Sequence, residues 1–569
     1  MIHITSAVTS VFCAICARHT EGIGRWRYNL SFMTNRTRTD VLLLAGFCAF
    51  LFFYGLGQFG LIGADEPRYA QVARQMLERR DWVTPVLGGQ PWLEKPPLYY
   101  WQAMLVYSVI GVSDIAARIP SAIDATLLVI AVYLFFRKFR RSVEVDAALI
   151  TASCEGIVGY ARAASMDMPL TATFCIGMLA WWSWRESSKR IYLAAFYACM
   201  GLGTLAKGPV APFLGAIVIG VFVAAFKERR LIWKTLWLPG ILLFLAISLP
   251  WYVAVQIANP QFFREFILEH NLARFSSNLY HHPEPFWYYV PVAILALVPW
   301  IIFVCAALAE SLRAWWSERT AARPEPDVEL QFRVFLCCWL IVPVVFFSIS
   351  QSKLPGYILP ALPAGAILLA DYLLRHFEYD VSIPKPLAVA HSLVACAPIV
   401  PAVLVGYIVT QHHLPAGRPL LFASALAIIL AVAVAFTLFR THLRMLRFVT
   451  LVPVVLAVAA VLKMGTAAID QKLSTRPLAM ELASIETQRL PIAVCGASRE
   501  VEYGLAFYRD QIVSRYEARS IPAGEHLLVA SPAWKSNVTE WTTGRRVTLL
   551  GHFTPQNLDY YWVAASAKP

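Results

Sequence analysis

Charge is what this sequence has least of. Asp, Glu, Lys and Arg make up only 15% of its 569 residues, against 58% hydrophobic ones. A soluble chain of this length needs far more polar surface, so that shortage places the protein among polytopic membrane proteins. Other signals are missing as well. No helix-turn-helix or aromatic-plus-basic RNA pattern stands out, which sets nucleic acid aside as a partner. No fixed-period repeat and no low-complexity linker is present. The eleven cysteines imply no disulfide framework. Most of them, such as Cys48, Cys154, Cys337 and Cys396, lie inside apolar runs as small buried hydrophobes. Cys13 and Cys16 form a C-x-x-C, but no second pair completes a zinc site.

The opening segment lacks a cleavable signal pattern of basic stretch, apolar core and small-residue cleavage site. Arg25, Arg27, Arg36 and Arg38 precede the first long apolar run, and they favour a cytoplasmic N-terminus. The abrupt change of character there makes Met33 a candidate natural start.

What is present is a succession of apolar runs. A span needs about 20 apolar residues. Such runs fall near 40–61, 115–136, 144–163, 169–185, 190–206, 209–226, 235–257, 287–309, 333–350, 355–374, 386–409, 418–439 and 446–465. The expectation is a polytopic α-helical membrane protein of about thirteen transmembrane helices. The formal net charge of +13 is unevenly spread and tests the phasing. Basic clusters occur at Arg137-Lys138-Phe139-Arg140-Arg141, Lys189-Arg190, Lys227-Glu228-Arg229-Arg230, Arg313 through Arg323, Arg375-His376 and Arg440 through Arg447. They fall after alternate helices, as the positive-inside rule requires of cytoplasmic loops.

Three segments are then expected outside. The first outer loop, 62–114, and the second, 258–286, mix aromatic, apolar and charged residues at helical spacing, which suits interfacial helices. The third, 466–569, alternates short β-rich runs with a helical stretch around 501–509 and reads as a small soluble α/β domain. The expected organisation is therefore an extension over 1–38, a membrane domain over 39–465 and the α/β domain over 466–569.

The first outer loop carries the most informative residues. It reads Gly63-Ala64-Asp65-Glu66-Pro67-Arg68-Tyr69-Ala70, then Leu93-Glu94-Lys95-Pro96-Pro97-Leu98-Tyr99-Tyr100-Trp101. Charged groups at the mouth of an apolar bundle are costly to place and mark a site by default. Asp65 and Glu66 would point about 100° apart on a helix, so one faces the cavity and the other caps or pairs. Asp65-Glu66-Pro67 also suits a helix start with Asp65 as N-cap.

By the phasing, Arg68, Glu94, Lys95, Asp167, Lys207 and Lys353 emerge on the same outer side. Isolated cations beside a carboxylate there suit a phosphate-bearing lipid headgroup. Taken singly, each cation is equally a snorkelling side chain. His270, His281 and His282, with Glu94 and Glu284, lack H-E-x-x-H or comparable spacing and read as solvated loop residues. A divalent metal such as zinc near the first outer loop would take Glu94 and His270.

These motifs carry a resemblance. Asp-Glu-Pro-Arg-Tyr-Ala, Trp-Val-x-Pro at 82–85 and Glu-Lys-Pro-Pro-Leu-Tyr-Tyr-Trp resemble the bacterial 4-amino-4-deoxy-L-arabinose lipid A transferases. Leu-x-Lys-Gly-Pro at 205–209 and Ser-Lys-Leu-Pro-Gly-Tyr at 352–357 fit as well. That family has the C-type glycosyltransferase fold, shared with protein O-mannosyltransferases. The resemblance implies inverting transfer of aminoarabinose from undecaprenyl phosphate to lipid A phosphate, a charge modification that gives polymyxin resistance. It implies a multi-pass protein of the bacterial inner membrane, monomeric, with its site on the periplasmic side. Asp65 would be the acidic residue nearest the chemistry, with Asp167 as a second acidic position supporting it. Arg68, Lys95, Lys207, Arg274 and Lys353 would hold donor or acceptor phosphates, and Tyr357 would lie on a mobile loop over the cavity. A related enzyme moving another polyprenyl-linked sugar to a hydroxyl is the competing expectation. A transporter fits less well, because the charges gather at one face rather than at the midplane.

Overall fold

The computed structural model describes residues 30–266, 284–320, 327–378, 384–410 and 417–566. His270, Arg274, His281 and His282 therefore lie outside the described residues. The chain divides into two units, residues 1–46 and 47–569. A helix, Leu30–Cys48, runs across that division, and a π-helical turn over Ala49–Phe53 follows it. The contacts that build the site lie within the second unit.

Among the described residues, seven helices are long and apolar enough to cross a membrane: Asp114–Phe139, Leu238–Ala258, Val328–Ile349, Pro355–His376, Lys385–Leu404, Leu420–Thr441 and Leu446–Leu473. Phe286–Ala296 and Ile301–Arg319, bent by 115°, add an eighth if counted as one span. The protein is a multi-pass helical membrane protein, but length and composition do not reach the expected count of about thirteen. Local breaks explain part of the gap. The run near 144–163 splits at Cys154, which is extended, into Glu144–Ser153 and Glu155–Ala161. The run near 209–226 yields a helix of only 17 residues.

The helices that frame the site run between two polar ends. Asp114–Phe139 starts from an N-cap at Ser113, whose hydroxyl accepts the Ala116 N–H at 3.2 Å. Asp167–Ser187, with 21 residues, and Arg190–Lys207 lie beside it as an antiparallel pair. At about 1.5 Å per residue, Asp167 and Arg185 stand roughly 27 Å apart. Asp114, Asp167 and Lys207 therefore share one end, and Arg140, Arg185 and Glu186 the other.

The tail is α/β. Two short strands in the first loop, β1 (Val86–Leu87) and β2 (Gln90–Pro91), form a hairpin. The tail contributes β3 (Ile492–Cys495), β4 (Ser514–Arg515), β5 (His526–Ala530), β6 (Val547–Phe553) and β7 (Leu558–Val563), in the order β4-β3-β5-β7-β6. The pairs β3–β4 and β3–β5 are parallel, whereas β7 runs antiparallel to β5 and β6. Period-two alternation divides the core into two layers. Ile492, Val494, Leu527 and Val529 pack on one face with Leu478, Leu482 and Leu505. Ala493, Cys495, Leu528 and Ala530 pack on the other with Val538 and Trp534.

The tail is fastened to the Asp114 end of the bundle. Arg476 donates to the carbonyls of Gly57 and Gln58, each at 3.1 Å, and pairs with Asp114 at 3.0 Å and Asp470 at 2.7 Å. The Tyr508 hydroxyl donates to Asp114 at 2.7 Å and accepts the Leu61 N–H at 2.6 Å.

Candidate active site

The first-loop helix Asp65–Arg79 turns Glu66, Tyr69, Ala73 and Met76 inward, an i, i+3, i+7, i+10 stripe. Asp65 is its first helical residue, and Ala64 occupies the cap without a side-chain bond. The expected Asp65 cap is therefore not formed. The Asp65 carboxylate, 55% exposed, pairs instead with Arg68 one turn on.

Its neighbour points the other way. Glu66 is buried and accepts two bonds from Arg118, at 3.1 and 2.6 Å, along with the N–H groups of Ile62 at 2.8 Å and Ala164 at 2.7 Å. Arg118 is itself fully buried and also donates to the carbonyls of Leu56, Phe59 and Gly60. Glu66 thus ties the first loop to the helix Asp114–Phe139 and to the bend before Asp167–Ser187, which leaves Asp65 facing outward.

Arg68 lies under three aromatic rings, Tyr69 at 5.0 Å, Trp92 at 5.3 Å and Tyr503 at 5.6 Å. Tyr503 belongs to the tail, so the tail reaches the site. Burial disfavours the Arg68 charge, but Tyr69, Asp65 and Glu94 more than offset this, and its pKa lies above the ordinary arginine value.

A second carboxylate–cation pair stands at the same end. Asp167 pairs with Lys207 and accepts the Ser165 hydroxyl at 2.9 Å. The Lys207 ammonium sits 4.7 Å from the centre of the Tyr357 ring. Tyr357 lies in the short helix Pro355–Ala361, against Phe347. Gly356 closes on the same point: a Cβ there would sit 2.7 Å from both the Asp167 carboxyl carbon and the Tyr160 hydroxyl. Only glycine allows this approach.

Tyr160 is a site residue that the sequence reading missed. It lies within electrostatic reach of both Asp167 and Asp65. A tyrosine inside an apolar run carries no local signal of this kind.

Asp65, Arg68, Asp167, Lys207 and Tyr357 are thus brought to one end of the bundle. Glu94 and Lys95 are half-buried at the start of the helix Leu98–Ile110, and Glu94 acts electrostatically on Arg68. Lys353 is buried, 6% exposed, and its ammonium donates to the carbonyls of Ser350 at 2.6 Å and Glu284 at 3.0 Å. Among the described residues no group of three or more His, Cys, Asp and Glu is arranged to hold a metal ion. His270, the other half of the expected metal pair, is not described.

Comparison with known proteins places the chain in a family. The chain is 30% identical over 434 residues to the undecaprenyl phosphate-α-4-amino-4-deoxy-L-arabinose arabinosyl transferase of Enterobacter sp. strain 638, covering 74% of this chain and 75% of that one. The chain belongs to this arabinosyl transferase family. The Pseudomonas aeruginosa (strain UCBPP-PA14) member is 33% identical over 359 residues, 61% of this chain and 62% of that relative. The family model for dolichyl-phosphate-mannose-protein mannosyltransferase matches residues 94–253. Among solved structures, ArnT from Cupriavidus metallidurans bound to undecaprenyl phosphate superposes with a TM-score of 0.74 at 22% identity, over 93% of this chain and 99% of that one. As a member of the arabinosyl transferase family, the protein is a glycosyltransferase that uses a polyprenyl-phosphate-linked sugar.

Proposed function

We propose that this chain transfers 4-amino-4-deoxy-L-arabinose from undecaprenyl phosphate to a phosphate group of lipid A, with inversion at the sugar carbon. The observation that carries the reading is the pairing of Asp65–Arg68 and Asp167–Lys207 at one end of the bundle, with Tyr160 near both carboxylates. Membership of the arabinosyl transferase family supplies the donor class. The membrane is the bacterial inner membrane, and the site faces the periplasm, as the basic loops at the other end suggest.

The chemistry asks little of a base. A phosphate monoester has a second pKa near about 6, so the acceptor is largely anionic at neutral pH. An acceptor oxygen attacks the sugar carbon while the bond to the undecaprenyl phosphate oxygen breaks, and that phosphate leaves with the electron pair. Asp65 is then best used to orient the acceptor or to stabilise positive charge developing on the sugar ring. Asp167 holds Lys207 in place, and Arg68, Lys95, Lys207, Arg274 and Lys353 neutralise phosphate charge. Tyr357 covers Lys207.

In this reading Asp65→Asn reduces transfer at least about 100-fold, the scale of losing one well-placed electrostatic group, and leaves undecaprenyl phosphate binding nearly unchanged. Mass spectrometry of lipid A, with and without the variant, reads the outcome. Normal lipid A modification by Asp65→Asn would remove Asp65 from the chemistry. If the wild-type protein leaves lipid A unmodified, the acceptor is instead a hydroxyl of another glycan, protein or lipid. Asp65 would then serve as the base.

A further inference from the structure

A cavity of about 380 Å³ lies where the Asp65–Arg79 helix and the β1–β2 hairpin meet the tail helix Arg499–Arg509. Its polar walls are mostly carboxamides. Gln71 and Gln75, one turn apart on the first-loop helix, share it with Gln90 and Gln511, and Trp92, Tyr503 and Glu502 also line it. Two of these groups are unsatisfied: Gln71 Oε1 and Trp92 Nε1 are buried without a hydrogen-bond partner. Gln71 is 2% exposed. A buried acceptor and a buried donor without partners thus belong to residues that line the cavity, and a ligand offering both would satisfy them.

The composition selects the ligand. Carboxamides donate and accept side by side, which matches neighbouring hydroxyls on a sugar ring. Flat aromatic rings cover its apolar C–H face. Among the described residues neither lysine nor arginine lines the cavity, so a phosphate would find no cation there. The position is also specific. Trp92 and Tyr503 line the cavity and also enclose Arg68, whose partner is Asp65.

We propose that this seam is a saccharide subsite. It takes an uncharged sugar ring of the glycolipid acceptor, while the acceptor phosphate lies at the Asp65 end. This rests on the transferase reading above, and it gives the tail a direct part in acceptor recognition.

The test uses the full chain in lipid nanodiscs and the free disaccharide N,N′-diacetylchitobiose, followed by saturation-transfer difference NMR. Wild-type protein saturates the sugar ring protons, and Gln71→Met combined with Gln511→Ala reduces this signal roughly tenfold. The same double variant raises the acceptor KM about tenfold, while the donor KM does not move. Gln75→Ala, on the outer turn, gives a smaller change of the same sign and serves if the double variant does not fold. Equal saturation in all proteins, or an unchanged acceptor KM, overturns the proposal. So does displacement of the disaccharide by glycerophosphoglycerol, which would assign the cavity to a phospholipid headgroup. If wild-type protein transfers nothing to lipid A yet the saturation still depends on Gln71 and Gln511, the transferase reading fails and the saccharide site stands.

Discussion

At one end of the bundle, Arg140, Arg185, Arg375 and Arg447 hold carboxylates; at the other, Arg68 and Lys207 do so. Two of the four far-end arginines, Arg140 and Arg375, have two carboxylates each. Arg140 pairs with Glu186 at 2.7 Å and Glu329 at 3.2 Å, Arg185 with Glu228 at 3.0 Å, Arg375 with Glu310 and Asp371, and Arg447 with Asp146 at 2.5 Å. Apart from Arg375–Asp371 within one helix, these pairs join elements distant in sequence, which suits the guanidinium's fixed geometry. At the site, Arg68 and Lys207 each pair with a single carboxylate and rest against aromatic rings. The far-end arginines lie over rings as well, but Arg140 and Arg375 are each shared by two carboxylates, which leaves them less charge for an anion than Arg68 or Lys207. The far-end pairs hold helices together, and in the proposed function Arg68 and Lys207 accept an anion.

The sharpest way to break that contrast is within the site end itself, because Asp65 and Glu66 are adjacent. Glu66→Ala leaves Arg118 buried without its carboxylate, a loss of the order of 3–5 kcal/mol. The expected result is poor recovery of folded protein and a lowered melting temperature in detergent. Asp65→Asn, one residue earlier, should melt like wild type and lose only transfer. If Glu66→Ala folds normally, the inward carboxylate is not the anchor that its four hydrogen bonds indicate.

A smaller effect is expected at the far end. Arg140→Lys keeps the charge but cannot span Glu186 and Glu329 together, so stability falls by about 1–2 kcal/mol. Transfer by the protein that remains folded should stay near wild type. Loss of transfer without loss of stability would put function at both ends, and the contrast would fall.

Much of the site end was legible in the sequence, and particular residues show why. Carboxylates and cations are rare in an apolar chain, so Asp65, Asp167 and Lys207 stood out, and the phasing of basic loops put them on one side. The split between Asp65 and Glu66 followed from helical geometry alone. What stayed hidden depended on contacts distant in sequence. Tyr160 and Tyr503 look like ordinary aromatics until the fold brings them to Asp167 and Arg68. The expected Asp65 cap failed because an acid at a helix start serves equally well as a first-turn residue, and Arg68 drew it outward. The expected count of about thirteen spans is not confirmed: apolar runs such as 144–163 break internally, and hydropathy does not register a single extended residue such as Cys154.

The mildest prediction asks whether the tail belongs to the site end in practice. His526 on β5 is fully buried, with Nε2 2.6 Å from the Tyr516 hydroxyl and Nδ1 2.8 Å from the Gly524 carbonyl. The carbonyl can only accept, so Nδ1 carries the proton and Nε2 accepts from tyrosine. Burial lowers the His526 pKa below its ordinary value. The unfolded tail therefore takes up this proton first, near about pH 6.5. Stability from the neutral ring is complete above that pH and declines as pH falls below it. Hydrogen exchange of the β5 amides, corrected for intrinsic rate, should quicken between about pH 7 and pH 5. The helix ends around Arg140 and Arg185 should not follow, because no histidine takes part in their ion pairs. His526→Gln should flatten the β5 response. If Tyr503 holds Arg68 as the contacts indicate, acceptor affinity should weaken over the same interval in wild type and not in that variant. A pH response shared equally by both ends would show that the tail and the bundle loosen as one body.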